Sequence, residues 1–179
     1  KRAKDEGYRS RAVFKLQEIL KKTKLKKISN VLDLGSAPGG WSQLIIKNYP
    51  NSKVFAIDIL DMEKIDRVDF FQISIEKIEE IEDIDSLKGK FNLVISDIAP
   101  NLTGISAVDS ENVLDLNHLT INTAHKFLEK GGALIMKTFQ NNNLKSLRKN
   151  MELSFKLVQT YKPAASKKQS GEIYLYGVK

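Results

Sequence analysis

Two hydrophobic patterns alternate along the chain, one short and continuous, the other spaced for helices. Asn30-Val-Leu-Asp-Leu-Gly35 is an apolar run ended by glycine, the pattern of a buried parallel strand entering a tight turn. Lys53 to Asp58 repeats it; Asp69 to Ser74, Phe91 to Asp97 and Ala133 to Lys137 predict three more strands, the last after a Gly131-Gly132 stop. Late strands are expected near Phe155 to Tyr161 and Glu172 to Val178. Between them the spacing is helical. Ser10 is placed to cap a helix over 10–22, where Ala12, Val13, Leu16, Ile19 and Leu20 share a face and Lys15 lies at its border, one turn from Arg11. Trp41, Leu44, Ile45 and Ile46 predict a second helix, and Ile75, Ile78, Ile81 and Ile84, set among acids, an amphipathic third over 75–87. Two more are expected from about Glu111 to Glu129 and around Leu144 to Met151. Strands alternating with helices predict an α/β fold with a seven-stranded doubly wound sheet, its last strand antiparallel. One domain over residues 1–179 is expected, with the N-terminal helix packed on it.

In such a sheet, ligands bind beyond the carboxyl ends of the strands, near the reversal of strand order. Gly35, Asp58, Asp97 and Lys137 stand at four predicted strand ends, which points to one site. Composition narrows its chemistry. With no cysteine, disulfides, thiolate metal sites and cysteine nucleophiles are excluded. His118 and His125, seven apart, read as structural, so no metal is expected. No apolar run is long enough to span a bilayer, so no membrane partner is expected.

The net charge of +7 is unevenly placed. Residues 1–27 hold eleven Lys or Arg against three acids and residues 137–179 nine against two, while the middle is acidic. Two basic ends can converge on one face of the fold and meet a polyanion such as RNA, or they can be solvated lysine. A cytoplasmic location and a monomer are expected. A mitochondrial location stays open because the chain starts at Lys1 rather than Met.

Asp33-Leu-Gly35-Ser-Ala-Pro-Gly39-Gly40-Trp41 follows a strand and opens a helix, where glycines let backbone approach a nucleotide-like ligand. The dinucleotide fingerprint needs glycine at 37, which is alanine, and Pro38 removes an amide, so a nicotinamide oxidoreductase is disfavoured. Asp58 suits the two hydroxyls of a ribose, and together these features favour an adenosine-type cofactor over an ordinary turn with a solvent-facing aspartate.

The glycine loop through Gln43, with Ser10-Arg-Ala-Val-Phe-Lys-Leu16, Ser96-Asp-Ile-Ala-Pro-Asn101, Ala107-Val-Asp109, Met136-Lys137 and Gly171-Glu-Ile-Tyr174, resembles the FtsJ/RrmJ family of S-adenosylmethionine-dependent RNA 2′-O-ribose methyltransferases over nearly the whole chain. The resemblance implies a Rossmann-like methyltransferase fold and a catalytic tetrad of Lys15, Asp97, Lys137 and Glu172. A ribose hydroxyl is a poor nucleophile until its proton leaves, so activation and in-line placement are the protein's main tasks. Lys137 is expected as base or as stabiliser of the developing alkoxide, Asp97 and Glu172 as orienting groups, and Lys15 in substrate positioning. Gly35, Gly39, Trp41, Asp58, Ser74 and Asp97 are implied as contacts to S-adenosyl-L-methionine. Trp41 reads equally as core. Ser74 stands where the family often has an acid beside adenine. Arg9, Arg11, Lys167 and Lys168 are expected to meet RNA phosphate.

The resemblance is nearer the ribosomal than the transfer-RNA enzymes, carried by Asp97 to Asn101 with Ala107 to Asp109. The expected substrate is large-subunit ribosomal RNA, free or in the subunit, with a uridine ribose as target. A transfer-RNA methyltransferase and a non-catalytic ribosome-assembly factor are the alternatives.

Overall fold

The computed structural model describes residues 1–179. Seven strands form one sheet: β1 (Asn30–Leu34), β2 (Lys53–Asp58), β3 (Val68–Gln72), β4 (Phe91–Ser96), β5 (Leu128–Phe139), β6 (Leu157–Tyr161) and β7 (Glu172–Val178). Their order is β3-β2-β1-β4-β5-β7-β6, with only β7 antiparallel to its neighbours. Successive side chains of a strand face opposite sides, so alternate residues build two cores. On one side Val31, Val54, Leu93, Ile95 and Ile135 meet α2 (Val13–Thr23) and α3 (Gly40–Asn48), behind a short α1 (Arg2–Asp5). On the other, Leu32, Phe55, Val94, Leu134 and Leu175 meet α4 (Glu82–Asp85), α5 (Ser106–Phe127) and α6 (Leu144–Glu152).

Four elements depart from the sequence expectation; α5 begins at Ser106, five residues before the expected Glu111, and ends at Phe127. Ser10 accepts a hydrogen bond from the Ala12 amide at 3.1 Å, which closes a turn, and the helix starts only at Val13. Residues 75–87 are not one helix but a 3₁₀ helix, Ile75–Glu80, followed by α4. Ile75 and Ile78, three apart, share one side of the 3₁₀ helix, whose period is three, while Ile81, extended at φ −90° and ψ 103°, breaks the chain before α4 buries Ile84. Strand β5 begins at Leu128 rather than after the glycine pair; the pairing with β4 is irregular between Phe91 and Leu93, and Gly131, at φ +84°, lies in this stretch. No helix is long and apolar enough to cross a membrane.

Candidate active site

Strand order reverses between β1 and β4, where Leu34 pairs with Ser96, so Gly35 and Asp97 leave the sheet side by side. Ser96 also pairs with Met136, which sets Asp97 beside Lys137. Because β7 runs antiparallel, its first residue Glu172 lies at this same edge, opposite Phe139, while Tyr174 faces Lys137. Parity does the rest. Asp97 follows Leu93 and Ile95, Lys137 follows Ala133 and Ile135, and Glu172 precedes Tyr174 and Tyr176, all on the face covered by α2. The α2 residue at this edge is Lys15.

The four residues form two ion pairs. Lys137 Nζ lies 3.1 Å from Asp97 Oδ1, and Lys15 Nζ lies 2.5 Å from Glu172 Oε2. Burial raises the Asp97 carboxyl above its ordinary value, and the charge and hydrogen bond of Lys137 offset this only in part. At Glu172 burial also works upward, but the hydrogen bond and charge of Lys15, with Lys137 and Lys162 beyond, hold the carboxyl below its ordinary value. Tyr174 lies beneath them, fully buried against Trp41 at 5.9 Å between ring centroids. Burial and then the charges of Asp97 and Glu172 push its phenol upward, so it keeps its proton.

Beside the tetrad, a cleft of about 550 Å³ runs between the ends of β1, β2 and β4 and the start of α5. Gly35, Asp58 and Ser74 line it as expected, with apolar walls from Ile73, Ile98 and Leu116. Asp58 accepts the Ala37 amide on one oxygen and the Leu60 amide on the other, each at 2.9 Å, which fixes its carboxylate at the rim. The Ser74 hydroxyl accepts the Glu76 amide at 3.3 Å and caps the 3₁₀ helix, which leaves its own proton to donate. Glu76 also lines the cleft, as do Asp115 and Asn112, which sequence reasoning missed. Glu76 lies only two residues beyond Ser74, so an acid is present after all, displaced along the chain; Asp115 sits in mid-helix with no local signal.

Gly35 is at φ +71°, and a Cβ there would lie 2.3 Å from Ile98 Cγ1. Gly35→Ala is expected to lower the unfolding free energy by about 2–5 kcal/mol, combining left-handed strain with overpacking; urea titration checks it, and a loss under 1 kcal/mol, on the order of an ordinary surface change, would contradict it.

Two expected cofactor contacts, Gly39 and Trp41, do not line this cleft. A Cβ on Gly39, at φ +117°, would meet Ile65 and Met62. Trp41 is 4% exposed, and its indole donates to the Ala12 carbonyl at 2.9 Å, so it packs in the core while its edge reaches a small crevice with Asp33 and Asp97. Asp33, wholly buried, accepts the Ser42 hydroxyl at 2.7 Å.

Opposite the cleft lies a groove of about 710 Å³ bounded by Arg2, Phe14, Arg11 and Lys15 on one wall and Lys167 and Ser170 on the other, with Glu172 also lining it. The two basic ends of the chain therefore meet here. Glu18 on α2 accepts the amides of Ala164 and Ala165 at 2.8 and 2.9 Å and anchors the loop that carries Lys167. Lys168 is exposed on that loop outside the groove lining, and Arg9 turns inward, its guanidinium bonded to three backbone carbonyls. On α5, the His125 ring packs on Phe155.

The chain is similar to proteins of known kind. It is 43% identical to "Ribosomal RNA large subunit methyltransferase E" of Coxiella burnetii, with 98% of this chain and 86% of that one aligned. The protein of the same name in Dechloromonas aromatica is 40% identical, over 98% of this chain and 87% of its own. A solved structure of a ribosomal RNA methyltransferase from Plasmodium falciparum superposes with a TM-score of 0.78 at 31% identity, covering 96% of this chain and 97% of that one. The model of the FtsJ-like methyltransferase family matches residues 8–179, and with the sheet order, the cleft and the two ion pairs in place, the chain belongs to that family.

Proposed function

We propose that this protein transfers a methyl group from S-adenosylmethionine to the 2′-hydroxyl of a ribose in large-subunit ribosomal RNA. The convergence of Lys15, Asp97, Lys137 and Glu172 between a nucleoside-sized cleft and a basic groove is the observation that carries the reading. The cleft suits the cofactor: a carboxylate at the rim for ribose hydroxyls, isoleucine and leucine walls for a base, and the carboxyl groups of buried Asp33 and part-buried Asp97 toward a cationic amino acid portion. When bound, S-adenosylmethionine supplies a methyl group already electrophilic on its sulfonium.

The chain's own residues hold and activate the hydroxyl. Lys137 Nζ, 3.1 Å from Asp97, meets the 2′-oxygen and stabilises the negative charge that grows on it as the hydroxyl proton passes to water. Lys15 is tied to Glu172 at the groove side and orients the ribose and its phosphate. The two carboxylates keep the lysine side chains in place, so that little reorganisation is needed at the moment of reaction.

The test is transfer of labelled methyl from S-adenosylmethionine to undermethylated large ribosomal subunits, to their stripped RNA and to transfer RNA. Label in large-subunit RNA supports the reading. Label confined to transfer RNA would move the substrate, and no label despite cofactor binding would favour an assembly factor.

The groove predicts a salt effect. Arg11→Ala with Lys167→Ala is expected to flatten the slope of log affinity against log salt by about 0.7 per lost contact to single-stranded RNA, with cofactor binding intact. An unchanged slope in a filter-binding titration would place the RNA elsewhere.

A further inference from the structure

We propose that Arg9 is a positioning residue of the cofactor site rather than a contact to RNA. The inference rests on the cofactor reading above. Two loops shape the rim of the cleft: residues 35–39 after β1 and residues 59–67 after β2. Asp58 joins them on the cleft side, holding the Ala37 and Leu60 amides. Arg9 joins the same two loops from the opposite side. Its Nη1 donates to the Pro38 carbonyl at 3.1 Å and to the Glu63 carbonyl at 2.7 Å, and its Nη2 to the Lys64 carbonyl at 3.0 Å.

The loops are closely packed where Arg9 grips them. A Cβ on Gly39 would lie 2.6 Å from Ile65 Cδ1 and 3.2 Å from Arg9 Nη1. Arg9 is itself held: Gln43 on α3 accepts its backbone amide at 2.9 Å and donates to the Gly7 carbonyl at 3.3 Å. The Arg9 side chain is 23% exposed, and its remaining carboxylate neighbour, Glu63, is at 4.0 Å and almost fully solvated. Three carbonyls converge on one planar fork, a geometry that arginine satisfies and the single nitrogen of lysine does not. With its donors turned inward, Arg9 has little reach to a phosphate in the groove. The segment it begins runs on to Arg11 in the groove and to Ala12, whose carbonyl accepts the Trp41 indole.

Arg9→Lys separates the two roles because it keeps the charge and removes the fork. Titration calorimetry with S-adenosylhomocysteine is expected to show affinity weakened about tenfold, the scale of one or two lost hydrogen bonds that hold a binding loop. Hydrogen exchange at the amides of Gly39 to Trp41 is expected to speed up in the cofactor-free variant. Affinity for RNA without cofactor, and its salt slope, are expected to match the wild type. Gln43→Met, which releases the Arg9 amide and leaves the guanidinium in place, is expected to weaken S-adenosylhomocysteine in the same direction and by less, and it carries the test if Arg9→Lys does not fold. Unchanged S-adenosylhomocysteine affinity in both variants overturns the proposal, as does a loss of RNA affinity with the cofactor affinity intact. Failure of the wild-type protein to bind S-adenosylhomocysteine would instead overturn the cofactor reading beneath it.

Discussion

Lys137→Ala is expected to slow methyl transfer by about a hundred- to a thousandfold, the range for losing one positioned donor to a developing oxyanion, while S-adenosylhomocysteine still binds. Lys137 is at the end of β5 with its side chain 11% exposed, and it is the cation closest to Asp97. Its removal leaves the part-buried Asp97 without its ion-pair partner and with only the weaker influence of the Lys15 charge, a state that the protein relieves by taking up a proton. Asp97 is already raised by burial with Lys137 present, so the variant raises it further. The consequence is a second signature: the stability lost by Lys137→Ala grows as pH rises, because only the ionised carboxylate misses its partner. Lys137→Arg is expected to be nearly as slow, since a guanidinium does not place one nitrogen where Nζ stands. Single-turnover transfer within tenfold of the wild type in Lys137→Ala would remove Lys137 from the reaction.

The second large effect lies on β1, two strands along the sheet from β5. Asp33 is wholly buried, and burial, only partly countered by the Ser42 hydrogen bond and reinforced by the Asp97 and Asp58 charges, pushes its carboxyl from 3.8 up to about 7. The folded state therefore holds a proton that the unfolded state releases, so stability contributed by Asp33 is full below pH about 4 and is lost as pH rises to about 7. Asp33→Asn cannot lose that proton and keeps an oxygen for Ser42. Without cofactor, the variant is expected to gain stability relative to wild type as pH rises, by on the order of 4 kcal/mol at pH 8 against pH 4. Urea unfolding across that range reads it, and a difference independent of pH would sink it. The gain has a functional cost: a neutral residue at 33 weakens the attraction of the crevice for a cationic cofactor, so binding is expected to fall while the fold strengthens.

The strand-end chemistry was legible in sequence because each buried parallel strand is a short apolar run and the residue that ends it is polar or glycine. Gly35, Asp58, Asp97 and Lys137 were found in this way, and their meeting follows from the doubly wound topology. Ser74 was legible as a cleft residue, but the acid two positions on was not, because its place on the rim depends on how the chain turns after β3.

Arg9 shows where local reasoning stops. In sequence it is one of eleven basic residues near the N-terminus, and nothing nearby distinguishes it from Arg11. Its carbonyl partners lie 29, 54 and 55 positions away, and they converge only after β1 and β2 have paired and their loops have met. Trp41 and Gly39 belong to the same class. Their motif marks them as important, but whether each faces ligand or core depends on what α2 and the loop after β2 bring against them. The amino-acid sequence by itself determined the order of strands and helices, the polar strand ends and the residue types of the tetrad, because these follow from hydrophobic period and local chemistry. Only the tertiary structure decided which charges pair, which face inward and which remain free for a ligand, because hydrogen-bond partners and burial are properties of segments far apart in the chain.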